Sequence, residues 1–229
     1  MIFLDKKIIF LLPPKCGTTS LLTLLSNLPN ISSNVSLRNT RHTLLSRVVK
    51  SNNLQDTIQD YKIYQLCRNP LDRLVSSFYF YSNQFGVQRF LNQTQTYKNG
   101  EFKLTKELNF TNTMEVFLPH LHLLANSPNH KDYPAYSGKK FFHGFFMFFS
   151  PQSMWNDLDM DVEYIKLEDL KKNTSILSSI FKKDFQHEFP SANVNKKRPS
   201  QPYLEMFTKK TLELAYKAYE QDFKILKYK

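Results

Sequence analysis

Cysteine is scarce: Cys16 and Cys67 are the only two in 229 residues. That excludes the disulfide framework of small secreted proteins. Both lie where adjacent parallel strands are expected to end, so a bridge is sterically open, but two reduced, partly buried thiols are the expected state. Long apolar runs are missing too. No stretch approaches the roughly 20 residues of a membrane span. The N-terminal run at 8–12 falls short of the roughly 7–15 apolar residues of a signal peptide and has no small-residue cleavage site after it. The expectation is a soluble, cytoplasmic chain, or one whose anchor has been removed. Internal repeats and low-complexity segments are absent. Sequons at Asn30, Asn34, Asn92, Asn109 and Asn173 reflect an Asn-rich composition.

Acidic residues are in deficit. Against 31 Lys and Arg stand 20 Asp and Glu, a net charge of +11. Such a surface attracts polyanions (nucleic acid, multiply phosphorylated nucleotides, acidic glycans), and it also serves solubility alone. What the chain does have is core-forming material. Hydrophobic residues make up 41% and aromatics 14%, with 22% charged, which argues against disorder and for one α/β domain over 1–229.

The pattern along the chain alternates. Residues 8–12 read as a strand buried on both faces, followed by a helix over 17–28 that Pro29 ends. A short helix is predicted around 44–49. Residues 61–67 read as a second central strand and 70–81 as its helix, with Pro70 suited to the first helical position. Residues 85–140 look like an insertion, with a helix within 114–125 that Pro119 should kink or divide. Residues 162–167 suit another strand, with a helix over 168–181. Leu204, Phe207, Leu212, Ala215, Tyr219, Phe223 and Leu226 recur at helical spacing and predict a long C-terminal helix. Together these imply a three-layer α/β/α fold around a mainly parallel sheet, with ligands beyond the carboxyl ends of its strands.

Two motifs fall at such ends. The first is strand, then Pro13-Pro-Lys-Cys-Gly-Thr-Thr-Ser20, then helix. A helix N-terminus presents backbone N–H groups and the positive end of its dipole, an anion site. Gly17 permits close backbone approach, the hydroxyls of Thr18, Thr19 and Ser20 can join, and Lys15 adds a mobile charge. The alternative is an ordinary capped helix start. It is not the triphosphate loop of kinases and NTPases, in which Lys follows the second glycine. Here Lys15 precedes Gly17 and no glycine comes before it. The second motif, residues 67–81, places Arg68 at a strand end and Ser76 about two helical turns further on, sharing a face with Asp72. An Arg with a Ser hydroxyl can clamp a second phosphate. The alternative is an Arg68–Asp72 or Arg73–Asp72 surface pair.

In combination the motifs resemble the sulfotransferase family. Its 5′-phosphosulfate loop, Pro-Lys-x-Gly-Thr-Thr-Ser, is matched by residues 14–20. Its 3′-phosphate motif, an Arg with a Ser eight residues later, is matched by Arg68 and Ser76. The Arg-Asn-Pro-x-x-Arg-x-x-Ser form is closer to carbohydrate sulfotransferases than to cytosolic small-molecule ones. Weaker echoes cover 162–173 and 216–228. The resemblance implies a P-loop-like sulfotransferase fold and 3′-phosphoadenosine 5′-phosphosulfate (PAPS) as donor, with no metal required. It implies that Lys15, Cys16, Gly17, Thr18, Thr19 and Ser20 hold the 5′-phosphosulfate, and that Arg68 and Ser76 hold the 3′-phosphate. Lys15 would also stabilise the leaving phosphate. His42, upstream of Arg68 at a separation usual in the family, is the lead general base, with His143 and Glu168 as fallbacks.

Three departures qualify the match. The late Arg-Lys-Gly loop of cytosolic members has only residues 195–198 as a counterpart, where Lys197 and Arg198 could still touch phosphate. Leu167 stands before Glu168-Asp169 in place of an adenine-packing aromatic, which leaves Trp155 or one of the many Phe for that contact. His120 and His122 point about 200° apart on a helix, which disfavours a shared metal. The acceptor is expected to be a hydroxyl-bearing glycan, with an acidic one favoured by the net charge, in a pocket built by 85–140. Nucleic acid is not an expected partner, since no recognition motif accompanies the charge. The competing readings are a P-loop-like kinase, which predicts ATP and Mg²⁺ dependence, and a basic nucleic-acid-binding module.

Overall fold

The computed structural model describes residues 1–26, 42–85, 109–125, 147–185, 189–190 and 198–229. In chain order the elements are β1 (Ile2–Phe3), β2 (Ile8–Leu11), α1 (Thr18–Ser26), α2 (Leu45–Ser51), β3 (Lys62–Cys67), α3 (Pro70–Phe85), α4 (Phe110–Ala125), β4 (Glu163–Lys166), α5 (Leu167–Leu170), α6 (Ser175–Phe181), α7 (Lys209–Ala218) and α8 (Glu220–Leu226). They divide into two compact units, Met1–Arg68 with Met154–Val194, and Asn69–Ser153 with Asn195–Lys229.

The first unit holds the sheet, in the order β1-β2-β3-β4. Strands β2, β3 and β4 are parallel, with Leu11 opposite Gln65 and Cys67 opposite Lys166, and β1 is antiparallel at the edge. Because side chains alternate along a strand, each face has its own core. Phe10, Leu12, Tyr64, Leu66 and Ile165 pack with α1, α5 and α6 through Leu21, Leu25, Leu170, Leu177 and Phe181. Ile9, Leu11 and Ile63 pack on the other face with Leu45, Val48 and Val49 of α2 and with Ile58. Helices on both faces of a mainly parallel sheet make the expected three-layer α/β/α fold. Continuous burial of β2, rather than alternation, is what a two-sided strand requires.

The second unit is helical where it is described. α4 runs through Pro119 as one helix. Proline forfeits the bond its N–H would give the Glu115 carbonyl, and the buried face of Met114, Phe117, Leu118 and Leu121 offsets that loss. Polar groups are drawn inside this unit. Arg73 is wholly buried and donates from Nη1 to the Ser150 carbonyl at 2.8 Å and from Nη2 to that of Met147 at 3.3 Å. Asp222, equally buried, accepts from the backbone N–H of Gln152 and of Ser153, each at 2.7 Å.

Element boundaries depart from the sequence pattern in three places. Residues 168–181 form two helices, because Asn173 Oδ1 accepts from Ser175 N–H at 2.7 Å and restarts the chain there. The C-terminal helix is also interrupted. Thr208 begins α7 with a reciprocal capping box to Thr211, and Tyr219 separates α7 from α8. The Tyr219 hydroxyl donates to the Phe149 carbonyl at 2.8 Å, so the break turns a buried polar anchor inward. β1, a two-residue strand, had no counterpart in the pattern. Of the expected insertion, the described part is α4 with its flanking Asn109 and the end of α3; 86–108 and 126–146 lie outside the described residues.

Candidate active site

β2 ends at Leu11 and α1 begins at Thr18, so the first motif is the connection between them. Its backbone is unusual. Lys15 has φ 69° and Gly17 has φ 86°, both in the left-handed region. For Lys15 this costs about 1–2 kcal/mol, and the contact that holds it is specific. Arg68, one residue beyond β3, donates from Nη1 to the Lys15 carbonyl at 3.1 Å. The first motif is therefore joined to Arg68 of the second within the sheet unit.

Gly17 is required twice over. Its φ suits glycine, and a Cβ there would sit 2.5 Å from Leu167 Cδ1. The residue that departs from the cytosolic pattern is thus packed against the loop. Gly17→Ala is expected to cost about 1–3 kcal/mol, lowering the melting temperature by about 2–4 °C per kcal/mol. Adding Leu167→Ala should recover only part of the loss, because the backbone cost stays. Full recovery in calorimetry would assign the whole effect to the clash.

The first bond within α1 runs from Leu21 N–H to the Gly17 carbonyl at 2.9 Å. The amides of Thr18, Thr19 and Ser20 therefore form the helix N-terminus, and no acidic residue occupies the first turn. An anion meets the positive end of the dipole with no competing carboxylate. Thr18 Oγ1 donates to the Pro13 carbonyl at 3.4 Å, and both Thr18 and Ser20 are buried. Thr18 can thus serve an anion through its main-chain N–H. The Cys16 side chain points into the core, its thiol 3.7 Å from the Pro14 carbonyl, so its contribution too would be main-chain. Cys16 and Cys67 are both free thiols.

Burial pushes the Lys15 ammonium down to about 8, with the Arg68 charge acting in the same direction and Cys16 opposing. An anion bound at the loop reverses this, since it favours the charged form. The loop carries its full charge below about 8 and loses it above. Affinity for an anion held at the loop should therefore fall between pH 7 and pH 9, with proton uptake on binding near pH 8. Titration calorimetry in buffers of different ionisation enthalpy reads both. Equal affinity at the two pH values would remove Lys15 from the binding charge.

His42 lies in the same unit. Its Nδ1 is 2.7 Å from the carbonyl of Leu12, the residue just before the loop. A carbonyl only accepts, so Nδ1 carries a proton, and in the neutral ring Nε2 is then the nitrogen with the lone pair that a general base uses. The ring meets Trp155 edge-on at 6.5 Å between centroids. Trp155 is 2% exposed, so it offers no open face for adenine, and its indole N–H has no partner among the described residues. Glu168 is partly buried on α5, and His143 lies outside the described residues.

The remaining candidates belong to the helical unit. Ser76 is buried on α3. Asp72, on the same helix, pairs with Arg198 at 2.6 Å, a partner that the sequence alternatives of Arg68 and Arg73 did not include. Arg73 is instead an interior residue. Lys197 lies outside the described residues. His122 donates from Nδ1 to the Lys217 carbonyl at 3.0 Å, and among the described residues no three His, Cys, Asp or Glu gather as a metal site would require. No helix among them is long and apolar enough to cross a membrane.

A glycine-poor loop at the carboxyl end of a central parallel strand, with lysine ahead of its glycine and helix amides behind it, gives this α/β protein an arrangement suited to an anion. A sulfotransferase family model matches residues 1–229, and the chain belongs to that family. The protein is a sulfotransferase. No curated protein and no solved structure matches it.

Proposed function

We propose that the enzyme transfers a sulfuryl group from PAPS to a carbohydrate hydroxyl. The observation that carries this reading is the convergence of Lys15, Arg68 and His42 on the few residues that leave β2. Family membership over the whole chain supports sulfuryl transfer, and treating 1–229 as a single sulfotransferase domain.

In this reading the N–H groups at 16–20 and the Lys15 ammonium hold the 5′-phosphosulfate. The acceptor oxygen attacks sulfur as the bond from sulfur to the bridging oxygen breaks. The charge left on the 5′-phosphate is met by Lys15, and the acceptor's proton passes to His42 Nε2. Such fixed charges act with little reorganisation in a partly desolvated loop. The family motif assigns Arg68 and Ser76 to the 3′-phosphate, with Lys197 and Arg198 as further positive charge. Because Arg68 also holds the Lys15 carbonyl, Arg68→Ala should weaken donor binding and slow turnover together. The carbohydrate assignment rests on the Arg-Asn-Pro-x-x-Arg-x-x-Ser form and on the +11 charge.

Titration calorimetry tests the donor. Binding of 3′-phosphoadenosine 5′-phosphate with negligible binding of Mg²⁺-ATP is expected, and Arg68→Ala should cut that affinity by about tenfold or more. Preference for Mg²⁺-ATP would return the chain to a kinase reading. Desulfated and sulfated oligosaccharides with labelled PAPS then test the acceptor, and transfer only to small phenols would overturn the carbohydrate assignment.

A further inference from the structure

The segment carrying His42 is fastened by a stretch distant in sequence. α2 begins at Leu45, and its N-cap position is Leu44, whose side chain has no oxygen to cap with. The missing cap comes from Asp157. Ser46 N–H donates to Asp157 Oδ1 at 2.8 Å and Ser46 Oγ–H to Oδ2 at 2.5 Å. A carboxylate that accepts two bonds from one residue at a helix start fixes both the position and the rotation of that turn. Two residues before Asp157, Trp155 holds the His42 ring by its edge. Only Thr43 and Leu44 separate His42 from the capped helix.

Three restraints therefore converge on one imidazole: the Leu12 carbonyl at Nδ1, the Trp155 ring, and the Asp157 fork on the helix that follows. His42 needs them. Its φ of 53° is a left-handed conformation that a non-glycine residue holds only when its surroundings impose it. An ordinary helix cap explains the fork alone. It does not explain why the same short stretch also supplies the ring against His42.

We infer that Asp157 is a positioning residue for His42: through Ser46 it fixes the turn that keeps Nδ1–H on the Leu12 carbonyl and so sets the direction of Nε2. The inference rests on His42 being the general base, but its geometric content can be read separately. Losing the fork frees the 42–46 turn, so the imidazole samples both tautomers and several orientations. Donor binding, which uses the loop and Arg68, is untouched.

The experiment is ¹⁵N NMR of protein labelled at histidine ring nitrogens, with the His42 signals assigned by their loss in His42→Ala, alongside calorimetry with 3′-phosphoadenosine 5′-phosphate. In the wild type, His42 should show one protonated nitrogen, Nδ1, and one unprotonated nitrogen, Nε2. Asp157→Ala should draw the two shifts together and move the His42 titration, with affinity for the nucleotide unchanged within about twofold. Asp157→Asn, whose amide can still accept from Ser46 N–H and donate to Ser46 Oγ, should restore the separation. Ser46→Ala removes only the hydroxyl bond and should give an intermediate averaging, a readout that stands if Asp157→Ala fails to fold. In sulfuryl transfer from PAPS to the acceptor of the screen above, Asp157→Ala should lower kcat about tenfold, less than the roughly 10²–10⁴-fold expected of His42→Ala. Unchanged His42 shifts in Asp157→Ala, or in Ser46→Ala where the first is unfolded, would overturn the positioning role. Unchanged turnover in His42→Ala sinks the base assignment instead, whatever the shifts show.

Discussion

Lys15→Ala is expected to lower turnover by about 10²–10³-fold or more, with a smaller loss of affinity for 3′-phosphoadenosine 5′-phosphate. The split follows from where charge develops. In the proposed mechanism the amides at the start of α1, which the substitution leaves in place, already hold the 5′-phosphosulfate in the ground state. In the transition state the bridging oxygen gains negative charge, and the Lys15 ammonium is the mobile cation the loop offers it. Only the second interaction grows along the reaction, so kcat bears most of the loss. The stability result should run the other way. Burial pushes this lysine down to about 8 from an ordinary 10.5, so the folded state carries the charged form at a cost near neutral pH. Lys15→Met, which keeps the stem and removes the charge, should match or exceed wild-type melting temperature at pH 7 while being equally inactive. A destabilised, weakly affected Lys15→Met enzyme would contradict both halves. Steady-state kinetics and calorimetry on the same preparation decide it.

Much of this site is written in local sequence because its determinants are local. An apolar run of five ended by Pro13-Pro14 sets a buried strand, and Gly17 followed by Thr18-Thr19-Ser20 sets a helix start. Lysine's place before Gly17 sets the motif apart from the triphosphate-loop sequence. The parallel pairing of β2 with β3, which brings Arg68 to the Lys15 carbonyl, follows from alternation of strands and helices. What stayed hidden depends on partners far along the chain. Asp157 caps a helix that begins at Leu45, and nothing in the residues around either position announces it. Leu167 could be seen to break a family pattern, but not to fill the space beside Gly17. The periodicity over 204–226 was real, yet two points within it, Thr208 and Tyr219, prefer local capping and a buried hydroxyl bond to helix continuity. Asp72 shows the same limit, for its partner Arg198 lies beyond any local window.

Asp222 is the other hidden determinant, and removing it should produce the largest loss of stability. A charged residue in Glu-Gln-Asp-Phe reads as part of a solvated helix face, yet its carboxylate is wholly buried. Burial raises its pKa above the ordinary carboxylate value, while the amides of Ser153 and Gln152 and the charge of Arg73 pull it back. The raised value means that the ionised carboxylate is not itself a net stabiliser: this term favours folding most below the unfolded pKa and is lost as pH rises through the folded one. The importance of Asp222 lies in what it satisfies. Asp222→Ala strands one buried and one partly buried backbone N–H group and leaves the interior Arg73 without its balancing charge, a change of about 3–5 kcal/mol. For a chain of this size that is a fall of about 6–20 °C in melting temperature. Asp222→Asn tests the reasoning more sharply. It preserves shape but has one acceptor oxygen for two donors, each now 2.7 Å from an oxygen, so its amide must face an N–H. It should therefore cost about 1–3 kcal/mol, less than alanine but far from zero. If Asp222→Asn melts with the wild type, the group is protonated in the folded protein and accepts from one amide alone. If Asp222→Ala does so, the buried fork contributes nothing to stability.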